Sequence, residues 1–146
     1  MEKMNIKYEF RGYRLLKCDY NRIKDQPISN FSVICKKNLF DKNTGIYEIV
    51  TEFELVFGEE KSLIVFAAGF KINELEWLEL TPEAVVVNDF FRVAYPFFTA
   101  KVQAYTSDFR PGFMLPALDF RKFDFTKRIG MSFSRVPNDN GNTGVN

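Results

Sequence analysis

The sequence predicts an α+β fold with the strands first and one long helix after them. Three observations carry this. Residues 46–57 alternate with a period of two, residues 62–73 follow after a glycine-led turn, and the aromatic stretch after residue 88 keeps helical spacing instead.

The first strand is expected within KYEFRGYRLLKCDY, 7–20, where Tyr8, Phe10, Leu16, Cys18 and Tyr20 share one parity. The second, ISNFSVICKKN at 28–38, is the least regular. Asn43-Thr44-Gly45 supplies turn chemistry into the third. In IYEIVTEFELVF, 46–57, Tyr47, Ile49, Thr51, Phe53, Leu55 and Phe57 form a core face. Glu48, Glu52 and Glu54 share the other face with Ile46, Val50 and Val56. After GEEK, the run SLIVFAAGFKIN at 62–73 is apolar on both faces until Lys71, so it reads as a central strand covered on both sides. The short turn makes these last two an antiparallel hairpin.

Residues 74–80, with Glu74, Glu76 and Glu79 around Trp77, read as a solvated connector in preference to a partner-facing acidic patch. Thr81-Pro82-Glu83-Ala84 then has the chemistry of a helix start, but the β-branched run Val85-Val86-Val87 weakens it to a short helix or turn. The long helix is expected from Asn88 or Asp89, either of which can cap it. On a helical wheel Asn88, Arg92, Thr99, Gln103 and Thr106 fall together, while Phe91, Tyr95, Phe98, Val102, Tyr105 and Phe109 run down another side. Pro96 lies near the polar set, so the Arg92 carbonyl that it leaves unbonded can face water. The helix should end near 107–110. Phe109-Arg110-Pro111-Gly112-Phe113-Met114-Leu115-Pro116 follows as an extended loop that either folds back onto the core or walls a binding groove.

At 146 residues the chain reads as one domain, 1–131, with a polar tail from 132 to 146 too poor in apolar residues to order itself. The 17 Phe, 6 Tyr and 1 Trp are more than a soluble monomer of this size has ready room to hide, so each ring belongs either to a Phe-rich core or to an interface or apolar groove. A net charge of +1 with no basic block argues against nucleic acid or an anionic membrane as partner. Cys18 and Cys35 match no metal or redox spacing and are expected to be buried free thiols. No signal peptide opens the chain and no apolar run reaches membrane-spanning length, so a cytoplasmic protein is expected.

Catalysis finds little support. The chain has no histidine, which removes the commonest general base and metal ligand. It has no phosphate-cradling loop either, and the Glu48, Glu52, Glu54 row is the kind of pattern usually found on a solvated or salt-bridged surface. The expectation is a protein that is not an enzyme and needs no cofactor or metal.

The Pro96 segment and the loop after it resemble the bacterial protein-export chaperone SecB and its SecB-like relatives. Phe91 to Phe98 is similar to the family's aromatic-proline helix start, with Pro96 at the family proline. Phe109-Arg110-Pro111 is similar to its loop Phe-Pro with one residue added, and Leu115-Pro116-Ala117-Leu118-Asp119-Phe120 to the element before the last helix. The resemblance spans about residues 6–125 and is specific over some thirty. It implies a four-stranded antiparallel sheet with a long helix and a short C-terminal helix packed on one face, assembled as a dimer of dimers.

The implied activity is ATP-independent binding of unfolded or partly folded polypeptides in an apolar groove. By position that groove would draw on Phe109, Phe113, Met114 and Leu115, with Phe120, Phe97 and Phe98 behind or beside them and Trp77 as a further wall. Implied partners beyond such chains are the preprotein translocase motor or, as in SecB-like chaperones of toxin–antitoxin systems, an antitoxin. The sequence departs from the export chaperone where Lys17 and Asn21 occupy first-strand positions that are acidic there. It departs again where Ile72-Asn73-Glu74-Leu75 replaces a glycine pair, and in a tail whose one acid is Asp139. Those changes bear on coupling to secretion more than on client binding. A dedicated partner-binding protein and a structural adaptor that kept the fold without the groove are the alternatives.

Overall fold

A computed structural model describes residues 6–21, 27–106 and 114–133. The strands are β1 (Tyr8–Asp19), β2 (Asn30–Asp41), β3 (Ile46–Phe57), β4 (Glu60–Ile72) and β5 (Ile129–Ser132). Helices α1 (Leu75–Leu80) and α2 (Glu83–Tyr105) lie between β4 and β5. All neighbouring strands run antiparallel, in the order β1-β4-β3-β2-β5.

The β3–β4 hairpin forms as its alternation dictates. Tyr47, Ile49, Thr51, Phe53, Leu55 and Phe57 are all buried, and Phe53 sits opposite Val33 on one side and Ile64 on the other. Gly58 turns the chain with φ of 64°, a left-handed conformation that a side chain would strain. On the outer face Glu48 pairs with Arg14 at 3.1 Å, Glu52 with Arg128 at 3.6 Å and Glu54 with Lys61 at 3.6 Å. β4 is interior to the sheet, but among the described residues helices cover only one of its faces. Leu63 and Val65 on the other are half-buried, with Asp19 and Lys17 of β1 and Glu54 and Glu52 of β3 beside them in register.

β1 departs from its expected parity. The register slips between Phe10 and Gly12 and again between Leu15 and Lys17. Each bulge inserts one residue and reverses the alternation. Tyr8, Phe10, Tyr13 and Leu15 therefore pack against the core, and Leu16 is turned to solvent. Cys18 is also exposed rather than buried, while Cys35 is fully buried. Burial pushes the Cys35 thiol up to about 12, and burial followed by the Asp19 charge raises that of Cys18. A chromogenic disulfide reagent should titrate Cys18 in the native protein and reach Cys35 only in denaturant. Equal native rates for both thiols would contradict this packing.

The helical region starts earlier than the sequence suggests. Residues 75–80 are helical, and Thr81 ends α1 by donating its hydroxyl to the Trp77 carbonyl. α2 begins at Glu83, with the Pro82 carbonyl accepting from Val85 and Val86. Val86 and Val87 are buried, so packing outweighs the few tenths of a kcal/mol that β-branched residues lose in a helix. Pro96 is thus mid-helix and exposed, with exposed Arg92 one turn before it. α2 ends at Thr106, whose buried hydroxyl donates to the Val102 carbonyl at 2.9 Å. The 107–110 stretch where the end was expected lies outside the described residues.

The expected short C-terminal helix is absent among the described residues, and a fifth strand replaces it. Short polar side chains satisfy the backbone locally there, in competition with helix formation. Asp119 accepts from the Arg121 amide at 3.0 Å, and Asp124 from the Thr126 amide at 3.0 Å. The Phe125 carbonyl then accepts from the Cys35 amide at 2.8 Å, and β5 covers Asn30–Val33 of an otherwise open β2 edge. β5 runs to Ser132, and the rest of the expected tail, 134–146, lies outside the described residues.

α2 crosses the inner face of the sheet on its aromatic side. Phe90 stacks on Phe70 at 4.1 Å, Phe98 stacks on Phe66 at 4.6 Å, and Phe91 lies 5.0 Å from Phe125.

Candidate functional site

α2 leaves an apolar surface along each of its flanks. On the β1 flank five rings form a row: Trp77 from α1, Tyr8, Phe10 and Tyr13 from β1, and Phe97 from α2. Trp77 stacks on Tyr8 at 5.5 Å, Phe10 meets Phe97 at 4.7 Å, and Tyr13 lies 6.0 Å from Phe97. Their backs rest on buried rings, with Tyr8 and Phe10 against Phe70 and Tyr13 against Phe66. Their fronts are open, and Phe97 is 45% exposed. The bulge at Arg11 is what keeps Tyr13 on the side of Tyr8 and Phe10, five residues along a strand.

The polar end of this row is tied down. The Tyr8 phenol donates to Asp89, which also accepts from Arg92 at 2.8 Å. Burial, and then the Asp89 hydrogen bond, push the phenol well above its ordinary range, so Tyr8 stays a neutral donor.

On the other flank, residues 116–125 run beside α2 and enclose an open groove. Two adjoining cavities of about 510 and 560 Å³ share Arg92, Phe120 and Arg121. Phe120 leans on Phe91 at 5.6 Å and Tyr95 at 5.5 Å. Both ends of the segment are fastened to the helix. The Tyr95 hydroxyl donates to the Pro116 carbonyl. At the other end Asn88 donates to Asp124 at 2.8 Å and accepts from the Phe125 amide at 2.7 Å. Hydrogen bonds from Thr126 and then Asn88 hold the Asp124 carboxyl below its ordinary range. Asn88, expected as a helix cap, is instead the clamp of this turn. Asn88→Ala should cost about 1–3 kcal/mol in urea unfolding, because it orphans the Phe125 amide and releases Asp124.

The residues that the sequence put in one groove are dispersed. Trp77 and Phe97 belong to the aromatic row. Phe98 is fully buried beneath it, and Leu115 is buried. Phe120 walls the groove on the opposite flank, and Met114 is 62% exposed. Phe109 and Phe113 lie outside the described residues. Tyr8, Phe10 and Tyr13 were missed, although Gly12 inside a strand pattern is a recognised sign of a bulge.

No family model and no curated protein matches this sequence. Among solved structures, the Mycobacterium tuberculosis Rv1957 SecB-like chaperone, in complex with a ChAD peptide from the Rv1956 HigA1 antitoxin, is similar in fold. Its TM-score is 0.58 at 16% identity, covering 77% of this chain and 91% of that one. A Streptococcus agalactiae protein of unknown function aligns at 15% identity with a TM-score of 0.43, covering 78% of this chain and all of the other. The chain thus shares the SecB-like fold, an antiparallel sheet with a long helix laid across it. No described helix is long and apolar enough to cross a membrane.

Proposed function

We propose that this protein binds non-native polypeptide through the aromatic row, without ATP and without chemistry on the bound chain. The observation that carries the reading is the set of five part-exposed rings on one flank, Trp77 against Tyr8 and Phe97 against Phe10 and Tyr13, backed by buried rings. Such a surface accepts many apolar sequences, because ring faces impose little directional demand. Binding the unfolded state opposes its aggregation by mass action alone. The absence of histidine and of a phosphate-cradling loop fits a protein with no catalytic cycle.

The test is light scattering from a chemically unfolded client diluted into buffer. Stoichiometric protein should suppress aggregation equally with and without ATP. A folded sample that leaves several clients aggregating unchanged would sink the proposal. A dedicated partner is the second reading, favoured by the antitoxin peptide bound to the M. tuberculosis chaperone of the same fold. It predicts capture of one partner chain from a pull-down and indifference to generic clients.

A further inference from the structure

We infer that Asp89 is a positioning residue for the aromatic row: by holding the Tyr8 phenol it sets how the Tyr8 and Trp77 rings are presented to a bound chain. The inference rests on the row being the client surface and deepens that reading.

The Trp77 end of the row has little else to fix it. α1 is six residues long, none of them is buried, and no side chain caps its start. Its entry is set from β1, where the Lys7 carbonyl accepts from the Asn73 amide at 2.9 Å and from the Glu74 amide at 3.2 Å. Trp77 then stacks on Tyr8 with the ring planes 29° apart, and it meets Phe90 less closely, at 6.3 Å. The face that Trp77 offers therefore follows the Tyr8 ring.

Tyr8 itself comes from a strand at the edge of the sheet, whose register slips just after Phe10. Phe90 and Phe70 meet its ring edge to face at 4.7 and 5.8 Å. The hydroxyl decides the rest. In place, it donates to Asp89. Without that acceptor the ring must swing outward to water, because a part-buried hydroxyl left unpaired costs about 1–3 kcal/mol.

Asp89 suits the task. α2 starts at Glu83, so Asp89 caps nothing and its carboxylate is available to β1. The two oxygens are divided, Oδ2 accepting from Tyr8 and Oδ1 from the Arg92 guanidinium. Arg92, three residues on, thus aims the carboxylate at the ring, and a charged acceptor makes the stronger bond. A ring held before the client arrives loses less freedom on binding.

Trp77 is the single tryptophan, so its fluorescence reports this end of the row directly. Asp89→Ala should shift the emission to longer wavelength, as the orphaned phenol swings out and Trp77 loses its stacking partner. The amount of protein needed to halve light scattering from an unfolded client should rise about fivefold. Adding Tyr8→Phe removes the orphaned hydroxyl. The double variant should return most of the way to wild type in both measurements, since removing both partners of a hydrogen bond is close to neutral. Asp89→Asn keeps an acceptor and should also retain most of both. A role limited to pairing Arg92 or to general stability predicts no rescue by Tyr8→Phe. Circular dichroism melts identify any variant that fails to fold. Wild-type emission in folded Asp89→Ala, or a shift that Tyr8→Phe leaves in place, would overturn the assignment. A rescued shift with client capture unchanged throughout would support the placement by Asp89 and overturn the row as the client surface.

Discussion

Phe53→Ala should lower the free energy of unfolding by about 3–5 kcal/mol, a large share of the 5–15 kcal/mol typical of a single domain. Phe53 is fully buried at the centre of the sheet's inner face. Its ring lies 6.0 Å from Phe31 on β2, 6.2 Å from Phe66 on β4 and 6.0 Å from Phe98 on α2. Phe91 and Tyr95 close the remaining side at 6.4 and 6.1 Å. Truncation leaves a cavity bounded by elements that also pack on one another, so collapse around it is limited. Urea unfolding should show a lowered midpoint with an unchanged slope, since the surface exposed on unfolding is nearly the same. Val50→Ala, on the half-buried outer face of the same strand, should cost about 1 kcal/mol or less. If the two costs are similar, α2 does not pack on the face described here.

The contrast between those positions marks how far the sequence could be read. β3 was legible to the residue, because one face is wholly core and the other is a row of paired glutamates, so only one register satisfies both. α2 was legible where its aromatic side meets the sheet, at Phe91, Tyr95, Phe98 and Val102, all buried. Its start was not. Val86 and Val87 form helix because Phe90 and the sheet enclose that turn, a tertiary effect that local propensity does not encode. β1 failed for a different reason. A bulge costs the pattern one residue, and two of them leave a run of fourteen residues that no single parity fits.

The same bulges explain the partial legibility of the candidate site. Trp77 and Phe97 could be singled out as large rings beside the long helix, whereas their neighbours Tyr8, Phe10 and Tyr13 come from the strand whose phase was lost. Family-like position placed Phe97, Phe98, Leu115 and Phe120 side by side, but α2 separates its two flanks and buries the two of these that face inward. β5 had no signal of its own. Four residues, Ile129–Ser132, become a strand because β2 presents an open edge to them.

Phe97→Asp should abolish most of the aggregation suppression while leaving the protein folded. Phe97 is on the open side of α2, with Phe10 at 4.7 Å and Tyr13 at 6.0 Å, and it covers no fully enclosed space. The stability cost should therefore be about 1–2 kcal/mol, far below that of Phe53→Ala. The functional cost should be larger, because a carboxylate at the middle of the row must be desolvated whenever an apolar client segment lies across it. Adding Trp77→Ala removes a second ring, and the pair should weaken client capture about tenfold or more. Phe97→Leu should keep most of the activity, since a surface that accepts many sequences needs apolar area more than a particular ring. Leu39→Asp, an equally exposed apolar position on β2 across the sheet, serves as the control and should change nothing. Full suppression by a folded Phe97→Asp, Trp77→Ala double variant would remove the aromatic row as the client surface. Equal loss in Leu39→Asp would show that added negative charge, rather than the row, sets the outcome.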